Sequence, residues 1–131
     1  MKILITGGAG FIGSHLAERL LQEGNEVYVI DNLSTGRLEN IESFKDKPNF
    51  HLNIGSVLNR ELLDKLISNV EQVYHLAAAV GVKYIIENPL LSLKTNIMGT
   101  DNVLEFCNKY KAKALIASTS EIYGKNEQIP F

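Results

Sequence analysis

The sequence predicts an α/β fold in which a doubly wound parallel sheet carries helices on both faces. Short apolar runs alternate with helical patterns, giving about five strands in 131 residues. A glycine cluster follows the first apolar run. Strands of a parallel sheet are buried on both faces and therefore tend to be continuously apolar, and right-handed crossovers place helices on both sides. The chain length and an apolar content of 45% suit one domain with a real core.

The first strand is predicted at residues 3–5 and the second at residues 27–30, which Asp31 closes. Between them, residues 12–21 place apolar side chains at helical spacing, and Gly24 is a plausible C-cap for this helix. Polar residues 32–37 form a turn, which a short helix follows with Ile41 and Phe44 facing inward.

The second half of the chain repeats the strand and helix pattern. Alternation at residues 50–54 predicts a third strand, and Asn59 is the expected N-cap of a helix over residues 60–67. A fourth strand is expected at residues 72–76 and a fifth at residues 112–118, before a polar tail to residue 131. The helix between them spans about residues 89–110 and includes these apolar residues: Leu90, Leu93, Ile97, Leu104 and Cys107.

The glycine cluster contains Gly8, Gly10 and Gly13 at the spacing G-x-G-x-x-G, between a predicted strand and a predicted helix. Glycines allow a sharp turn and let the backbone approach a pyrophosphate, which the helix N-terminus attracts. Asp31 ends the next strand about 20 residues later, where an acid can bind an adenosine ribose. The pattern indicates a dinucleotide site; a tight strand-to-helix turn without a ligand is the alternative.

Four chemically informative turns follow predicted strands, at residues 7–13, 31–37, 77–83 and 119–124. In a parallel sheet the carboxyl ends of the strands meet at one edge, where ligands of such sheets bind. The sequence therefore predicts a single site assembled from four separate stretches.

Charge and composition argue against several other functions. A net charge of −2 gives no electrostatic footprint for nucleic acid or an anionic membrane, and no apolar run reaches the ~20 residues of a membrane helix. Cys107 is the single cysteine, expected to be a buried free thiol, and His15, His51 and His75 lack metal-ligand spacing. We expect a cytoplasmic protein without a metal, in which His75 is a packing residue.

Five motifs together resemble the extended short-chain dehydrogenase/reductase family, and more narrowly its NAD-dependent nucleotide-sugar epimerases, dehydratases and decarboxylases. They are TGGAGFIG at residues 6–13, DNLSTG at 31–36, HLAA at 75–78, TNIMGT at 95–100 and STSEIYG at 118–124. The resemblance covers the whole chain with the motifs in family order. It implies a Rossmann fold that binds NAD and, in the full-length parent, a nucleotide sugar, for which a UDP-sugar is the expected class.

The resemblance also implies which residues contact the cofactor. Ser56 and Val57 depart from the Asp-Ile that the family usually places at the adenine, and Asp31 favours NAD over NADP. The implied cofactor-binding residues are Gly7, Gly8, Gly10, Phe11, Ile12, Gly13, Asp31, Asn32, Leu33, Ser34, Thr35, Gly36, Ser56, Val57, Leu76, Ala77, Ala78, Ala79, Val80, Thr95 and Asn96.

The catalytic residues that the resemblance implies are Thr119, Ser120 and Glu121. Thr119 aligns with the family's Ser/Thr that hydrogen-bonds the sugar hydroxyl being oxidised. The Thr-Ser-Glu triplet most resembles UDP-glucuronate decarboxylases, whereas residues 79–83 resemble other epimerase-like members, so the reaction stays open among epimerisation, dehydration and decarboxylation. For Glu121 the alternative is a helix-start acid or a solvated loop charge.

The family's proton-transfer pair, Tyr-x-x-x-Lys, is missing, since no tyrosine of this sequence has a lysine four residues later. We therefore expect residues 1–131 to be the truncated NAD-binding domain of a longer enzyme, binding NAD weakly and turning over nothing alone. Two alternatives remain: a non-catalytic dinucleotide-binding sensor or interaction module, and a chain that folds only as a homodimer.

Overall fold

The structure is a computed structural model that describes residues 1–124, without the side chains of Val82, Tyr84, Ser120 and Glu121. The polar tail predicted after Gly124 lies outside the described residues.

Five parallel strands form one sheet in the order β3-β2-β1-β4-β5, which confirms the predicted fold class. The strands are β1 (Lys2–Thr6), β2 (Glu26–Asp31), β3 (Phe50–Ile54), β4 (Gln72–His75) and β5 (Lys113–Ile116). The strand order reverses beside β1, because β2 and β3 lie on one side of it and β4 and β5 on the other. The turns after β1 and β4 are consequently neighbours at the edge where ligands of such sheets bind.

Helices cover both faces of the sheet. The α-helices are α1 (Phe11–Gln22), α2 (Arg60–Ile67), α3 (Val82–Glu87), α4 (Pro89–Leu93) and α5 (Gly99–Tyr110). The side chain of Asn59 accepts the Leu62 N–H at 3.1 Å, which confirms it as the N-cap of α2. Gly24 has φ +81 just beyond α1, the left-handed conformation expected of a glycine that ends a helix.

Side chains of β1 alternate between two buried clusters. Leu4 belongs to the cluster beneath α2 and α5, whereas Ile3 and Ile5 belong to the cluster beneath α1. Ile41 and Phe44 are buried in the second cluster, as predicted, beside a 3₁₀ turn at Leu38–Ile41. Helices therefore cover both faces of the sheet around β1, whereas the residues of the edge strand β5 are exposed.

The segment predicted as one helix over residues 89–110 contains a π-helical turn, Lys94–Met98, between α4 and α5. Val103, Phe106 and Cys107 are buried against the sheet, which confirms Cys107 as a buried free thiol. Apolar residues predicted on this helix are instead 44–65% exposed: Leu90, Leu93, Ile97 and Leu104. The sequence analysis did not predict α3.

None of the helices among the described residues has the length and apolar character that crossing a membrane requires. Within residues 1–124, no group of three or more His, Cys, Asp or Glu side chains is placed to hold a metal ion.

Candidate cofactor-binding site

The glycine turn between β1 and α1 leaves no room for side chains. A Cβ on Gly7 would lie 2.9 Å from the backbone nitrogen of Ala77, and one on Gly8 would lie 2.5 Å from Val29 Cγ1. A Cβ on Gly13 would meet Gly8 Cα at 2.7 Å and would also overlap the carbonyl of Gly7. Backbone atoms cannot move aside at Gly7 and Gly13, and the Val29 side chain that faces Gly8 is fully buried, so the turn requires glycine at these positions.

Helix α1 begins immediately after Gly10, which is its N-cap and has no side chain to satisfy the first N–H groups. Phe11 and Ile12 lie at the first two positions of this helix and are 76% and 69% exposed. The helix start therefore offers backbone N–H donors and a partial positive charge at an open surface.

Asp31 closes β2 and is buried at 8% exposure. Its Oδ2 accepts the Ala9 N–H at 2.9 Å, and its Oδ1 accepts the Leu33 N–H at 2.8 Å. Leu33 has φ +57, a left-handed conformation unusual for leucine, in the turn that wraps this carboxylate. A Cβ on Gly36 would lie 2.8 Å from Asp31 Oδ1, so the turn also packs directly on the acid.

Ala9 links the glycine turn to the turn after β2. Its carbonyl accepts the Arg37 N–H at 3.0 Å and the Asn40 side-chain Nδ2–H at 2.7 Å, while its N–H donates to Asp31. The sequence analysis missed Ala9 and Asn40, because no motif marks an alanine backbone or an asparagine 31 residues away.

The remaining residues of the turn after β2 are Asn32, Ser34 and Thr35, all exposed. Asn32 Oδ1 accepts the Ser34 N–H at 3.1 Å, which makes a local side-chain turn. The segment from Asp31 to Gly36 is thus joined to the glycine turn at its two ends, through Asp31 and through Arg37 just beyond it.

Ser56 and Val57 follow β3. Ser56 Oγ accepts the Leu58 N–H at 3.1 Å, and the Val57 side chain is buried against Gly99, whose added Cβ would lie 2.6 Å from Val57 Cγ2. The carbonyl of Val57 accepts Asn102 Nδ2–H at 3.1 Å. Val57 is therefore a core side chain here, and any contact it makes with a cofactor would come from its backbone.

The turn after β4 contains Leu76, Ala77, Ala78, Ala79 and Val80, and it lies against the glycine turn. The Ala79 N–H donates to Asn96 Oδ1 at 2.7 Å, and Asn96 Nδ2–H donates back to the Ala79 carbonyl at 3.4 Å. Asn96 and the half-buried Thr95 lie in the π-helical turn, an irregularity often found at functional sites.

Thr119 is exposed and lies just beyond β5, at the same edge of the sheet. Ser120 and Glu121 begin a 3₁₀ turn, Ser120–Tyr123, but their side chains lie outside the described part of the chain. The structure therefore brings the backbone of the predicted catalytic segment to the edge shared with the glycine turn.

His75 is more than the packing residue that we expected. It is 3% exposed, and its two ring nitrogens contact the hydroxyls of Thr6 (2.7 Å) and Thr100 (2.9 Å). Burial lowers its pKa below the ordinary 6.5, so the imidazole is neutral near pH 7. No sequence motif had identified Thr6 or Thr100 as its partners.

These features fit a dinucleotide: a turn without side chains, an open helix N-terminus, and a carboxylate at the end of the adjacent strand. Each oxygen of Asp31 accepts one backbone N–H and retains capacity for a second donor, such as a ribose hydroxyl.

Comparison with known proteins agrees with this geometry. A family model described as GDP-mannose 4,6 dehydratase matches residues 4–131. The chain is 44% identical over 129 residues to UDP-glucuronic acid decarboxylase 1 of Danio rerio, covering 98% of this chain and 30% of that protein. A UDP-glucose 4-epimerase of Thermotoga maritima has 38% identity and a TM-score of 0.86, with 98% of this chain and 41% of that chain covered.

The dTDP-glucose 4,6-dehydratase DesIV of Streptomyces venezuelae, solved with NAD bound, has 30% identity and a TM-score of 0.90. That likeness covers 98% of this chain and 42% of the other. The chain thus spans about a third of the length of the curated relatives that it matches. The resemblance inferred from the motifs is confirmed at the level of the family.

Proposed function

This chain belongs to the GDP-mannose 4,6-dehydratase family, and we propose from that premise that residues 1–131 are the NAD-binding domain of a nucleotide-sugar-modifying enzyme. The observation that supports this proposal most strongly is the attachment of Asp31 to Ala9 of the glycine turn. That hydrogen bond holds the two groups needed by a dinucleotide, the phosphate-binding turn and the ribose-binding acid, in one fixed arrangement.

The pyrophosphate would lie over the start of α1, where the backbone at Phe11 and Ile12 supplies N–H donors. The ribose would donate its hydroxyls to Asp31, and the carboxylate would repel the 2′-phosphate of NADP. Gly36 keeps the space beside that carboxylate open. The turns that contain Ser56 and Leu76–Val80 would border the adenine and the nearer ribose.

When bound, NAD would supply a hydride acceptor that oxidises a sugar hydroxyl to a ketone and later returns the hydride. Epimerisation, dehydration and decarboxylation share this first oxidation. The relatives' names cover these reactions: a UDP-glucuronic acid decarboxylase, a UDP-glucose 4-epimerase and a dTDP-glucose 4,6-dehydratase. We propose a nucleotide sugar, most consistently a UDP-sugar, as the substrate class.

Thr119 would hydrogen-bond the hydroxyl being oxidised, and Ser120 and Glu121 would act on the ketosugar. Their support is position: β5 pairs with β4, so the segment after β5 begins beside the turn that follows β4. Each of these roles remains a proposal carried from the family motif.

The direct test titrates the 131-residue chain with NAD by calorimetry and then adds UDP-glucose or UDP-glucuronate. We expect one NAD bound per chain and no NADH or altered sugar, because the sequence lacks Tyr-x-x-x-Lys. A folded chain with no NAD binding would contradict the proposed domain. Turnover of either sugar would contradict the requirement for the missing pair.

We also propose a homodimer formed through the exposed apolar residues of the helical segment from α4 to α5. Leu90, Leu93 and Ile97 are 58–65% exposed, an unusual concentration of apolar surface. Sedimentation should show association that rises with protein concentration in the wild type and weakens in Leu93→Lys. An unchanged monomer in both would contradict the dimer.

The buried thiol of Cys107 supports a reducing, cytoplasmic setting, which we retain as a proposal.

A further inference from the structure

A chain of hydrogen bonds, buried at its Thr6 end, crosses the sheet edge beneath the glycine turn. Thr6 at the end of β1 contacts His75 Nδ1 at 2.7 Å, and His75 Nε2 contacts Thr100 Oγ1 of α5 at 2.9 Å. Thr6 is fully buried and His75 is 3% exposed. The three side chains thus connect two neighbouring strands and a helix, with the Thr6 contact buried and the Thr100 contact part-buried.

The positions of the protons follow from the partners of the two hydroxyls. Thr100 donates its single hydroxyl proton to the Asn96 carbonyl at 2.8 Å, so it can only accept from His75. Nε2 must therefore bear the proton of the neutral imidazole. Nδ1 is then an acceptor, and Thr6 donates its hydroxyl proton to it. The structure assigns His75 the Nε2–H tautomer.

The oxygen of Thr6 is what joins the two cofactor turns. It accepts the Ala77 N–H at 3.1 Å and shares the Leu76 N–H (3.2 Å) with the backbone carbonyl of Thr6, which accepts the same N–H at 3.1 Å. Two donors therefore face the two lone pairs of this hydroxyl oxygen. The same turn after β4 lies against Gly7, whose added Cβ would be 2.9 Å from the nitrogen of Ala77. By accepting the hydrogen bond from the Thr6 hydroxyl, His75 fixes the direction of both lone pairs of Thr6 Oγ1.

We propose that His75 is a positioning residue for cofactor binding, whose neutral Nε2–H form locks the turn after β4 onto the glycine turn and whose protonation releases it. This inference rests on the proposed function, because the two turns it joins are those proposed to hold NAD. His75 itself would not touch the cofactor; it would act through Thr6 and the backbone of Leu76 and Ala77.

Protonation of His75 disrupts these hydrogen bonds, because it turns Nδ1 from an acceptor into a donor. A proton on Nδ1 would face Thr6 Oγ1, which already accepts two N–H groups, while the hydroxyl proton of Thr6 would lose its acceptor. At least one of these contacts must then open. The Leu76 N–H keeps the Thr6 carbonyl as its acceptor, so the cost of an unsatisfied donor falls on the Ala77 N–H and the Thr6 hydroxyl. Cofactor affinity should therefore fall when His75 gains its second proton.

No charged neighbour that the structure describes accounts for the lowered pKa of His75 or for its hydrogen bonds. Burial is the cause that lowers the pKa of His75, and the ring bonds to hydroxyls alone among the described residues. The titratable groups on β4 and on the elements packed around it are Lys2 on β1, Tyr74 on β4, Lys113 on β5, and Asp101, Glu105, Cys107, Lys109 and Tyr110 on α5. None of these side chains is hydrogen-bonded to the imidazole in the described part of the chain.

The first arm of the test needs no variant. Long-range ¹H–¹⁵N NMR of the wild-type imidazole should show the Nε2–H tautomer at neutral pH. Hydrogen-exchange protection of the Ala77 amide, corrected for the intrinsic pH dependence of exchange, should fall as the pH drops through the lowered pKa of His75. The Leu76 amide, which also donates to the Thr6 carbonyl, should change less. An Nδ1–H tautomer, or protection that is independent of pH, would overturn the proposal.

The second arm measures NAD affinity against pH. The wild-type Kd should rise by up to about tenfold per pH unit once His75 protonates, since one proton would be released per NAD bound. His75→Asn, which retains an acceptor for Thr6, should bind with a flat profile over the same range. His51→Gln, which alters a histidine beside Glu26 and away from the turns, should keep the wild-type profile.

An identical pH profile in wild type and His75→Asn would overturn the proposal. If the wild type binds no NAD at any pH, the proposed function fails instead. The tautomer and the amide protection then still decide whether His75 locks the two turns.

Discussion

Asp31 Oδ2 accepts the backbone N–H of Ala9 at 2.9 Å, across 22 residues of sequence. The acid at the end of β2 is therefore fixed to the glycine turn that follows β1. Because the acceptor is a carboxylate and the donor a main-chain amide, the contact combines charge-assisted strength with a rigid position. It fixes the acid relative to the backbone of the glycine turn.

Replacing Asp31 by Asn tests this relationship. Asn59→Asp is the matched control, because Asn59 accepts the Leu62 N–H through one oxygen that aspartate retains, at an N-cap where both residues are favoured. In Asp31→Asn one of the two N–H groups, on Ala9 or Leu33, must face an NH₂ group. We expect a loss of about 1–3 kcal/mol in the free energy of unfolding. NAD affinity should also fall at least about tenfold.

Urea unfolding and calorimetry would measure the two effects separately. Asn59→Asp should change both by little. Equal effects from the two substitutions would contradict a special role for Asp31.

Gly13→Ala should weaken NAD binding, because its Cβ would meet the backbone of Gly8 at 2.7 Å and displace the turn. We expect at least about a tenfold rise in the Kd for NAD. Gly24→Ala, at the other end of α1, meets no atom within 4 Å but has φ +81. It should cost about 1–2 kcal/mol of stability and leave the Kd unchanged. Unaltered NAD binding in a folded Gly13→Ala variant would refute the geometric argument.

Cys107 should resist thiol reagents in the folded chain. It is 5% exposed, and burial raises the pKa of its thiol, so little thiolate is available to react. Labelling should be slow in buffer and fast in urea. Cys107→Ser, which buries a hydroxyl, should cost about 1–3 kcal/mol, and more than Cys107→Ala. Rapid labelling of the folded chain would contradict the burial of this side chain.

The contact between α2 and α5 should depend on pH and salt. Asp64 Oδ1 accepts from Lys109 Nζ at 2.8 Å and from Tyr110 Oη at 2.9 Å, and these bonds lower the pKa of Asp64 below its ordinary 3.8. The ionised form is therefore the stabilising one, present above pH 3.8 and lost as the pH falls through the lowered pKa.

A double-mutant cycle of Asp64→Asn and Lys109→Met would measure this coupling. It should be favourable at neutral pH, smaller in high salt, and absent once Asp64 is protonated. Coupling that persists at strongly acidic pH would show that charge is not its origin.

Much of the fold could be predicted because apolar periodicity and turn chemistry are local. The five strands, the N-cap Asn59 and the inward Ile41 and Phe44 all follow from residues within a few positions of one another. The π-helical turn could not be predicted in this way, because its Asn96 is held by the distant backbone of Ala79.

The site was predictable where a residue type is required, as at Gly13 and Asp31. It was not predictable where the hydrogen bond is made by a backbone atom or by a hydroxyl shared between elements. Ala9 acts through its main chain, and the partners of His75 come from β1 and α5. Such contacts depend on strand order, which a single sequence does not display.

The most direct test of the central claim is a calorimetric titration of the folded 131-residue chain with NAD and, in parallel, with NADP at neutral pH. The account predicts one NAD per chain, bound more tightly than NADP because Asp31 repels a 2′-phosphate. No binding of NAD by a chain that NMR shows to be folded, or binding of NADP as tight as that of NAD, would contradict it.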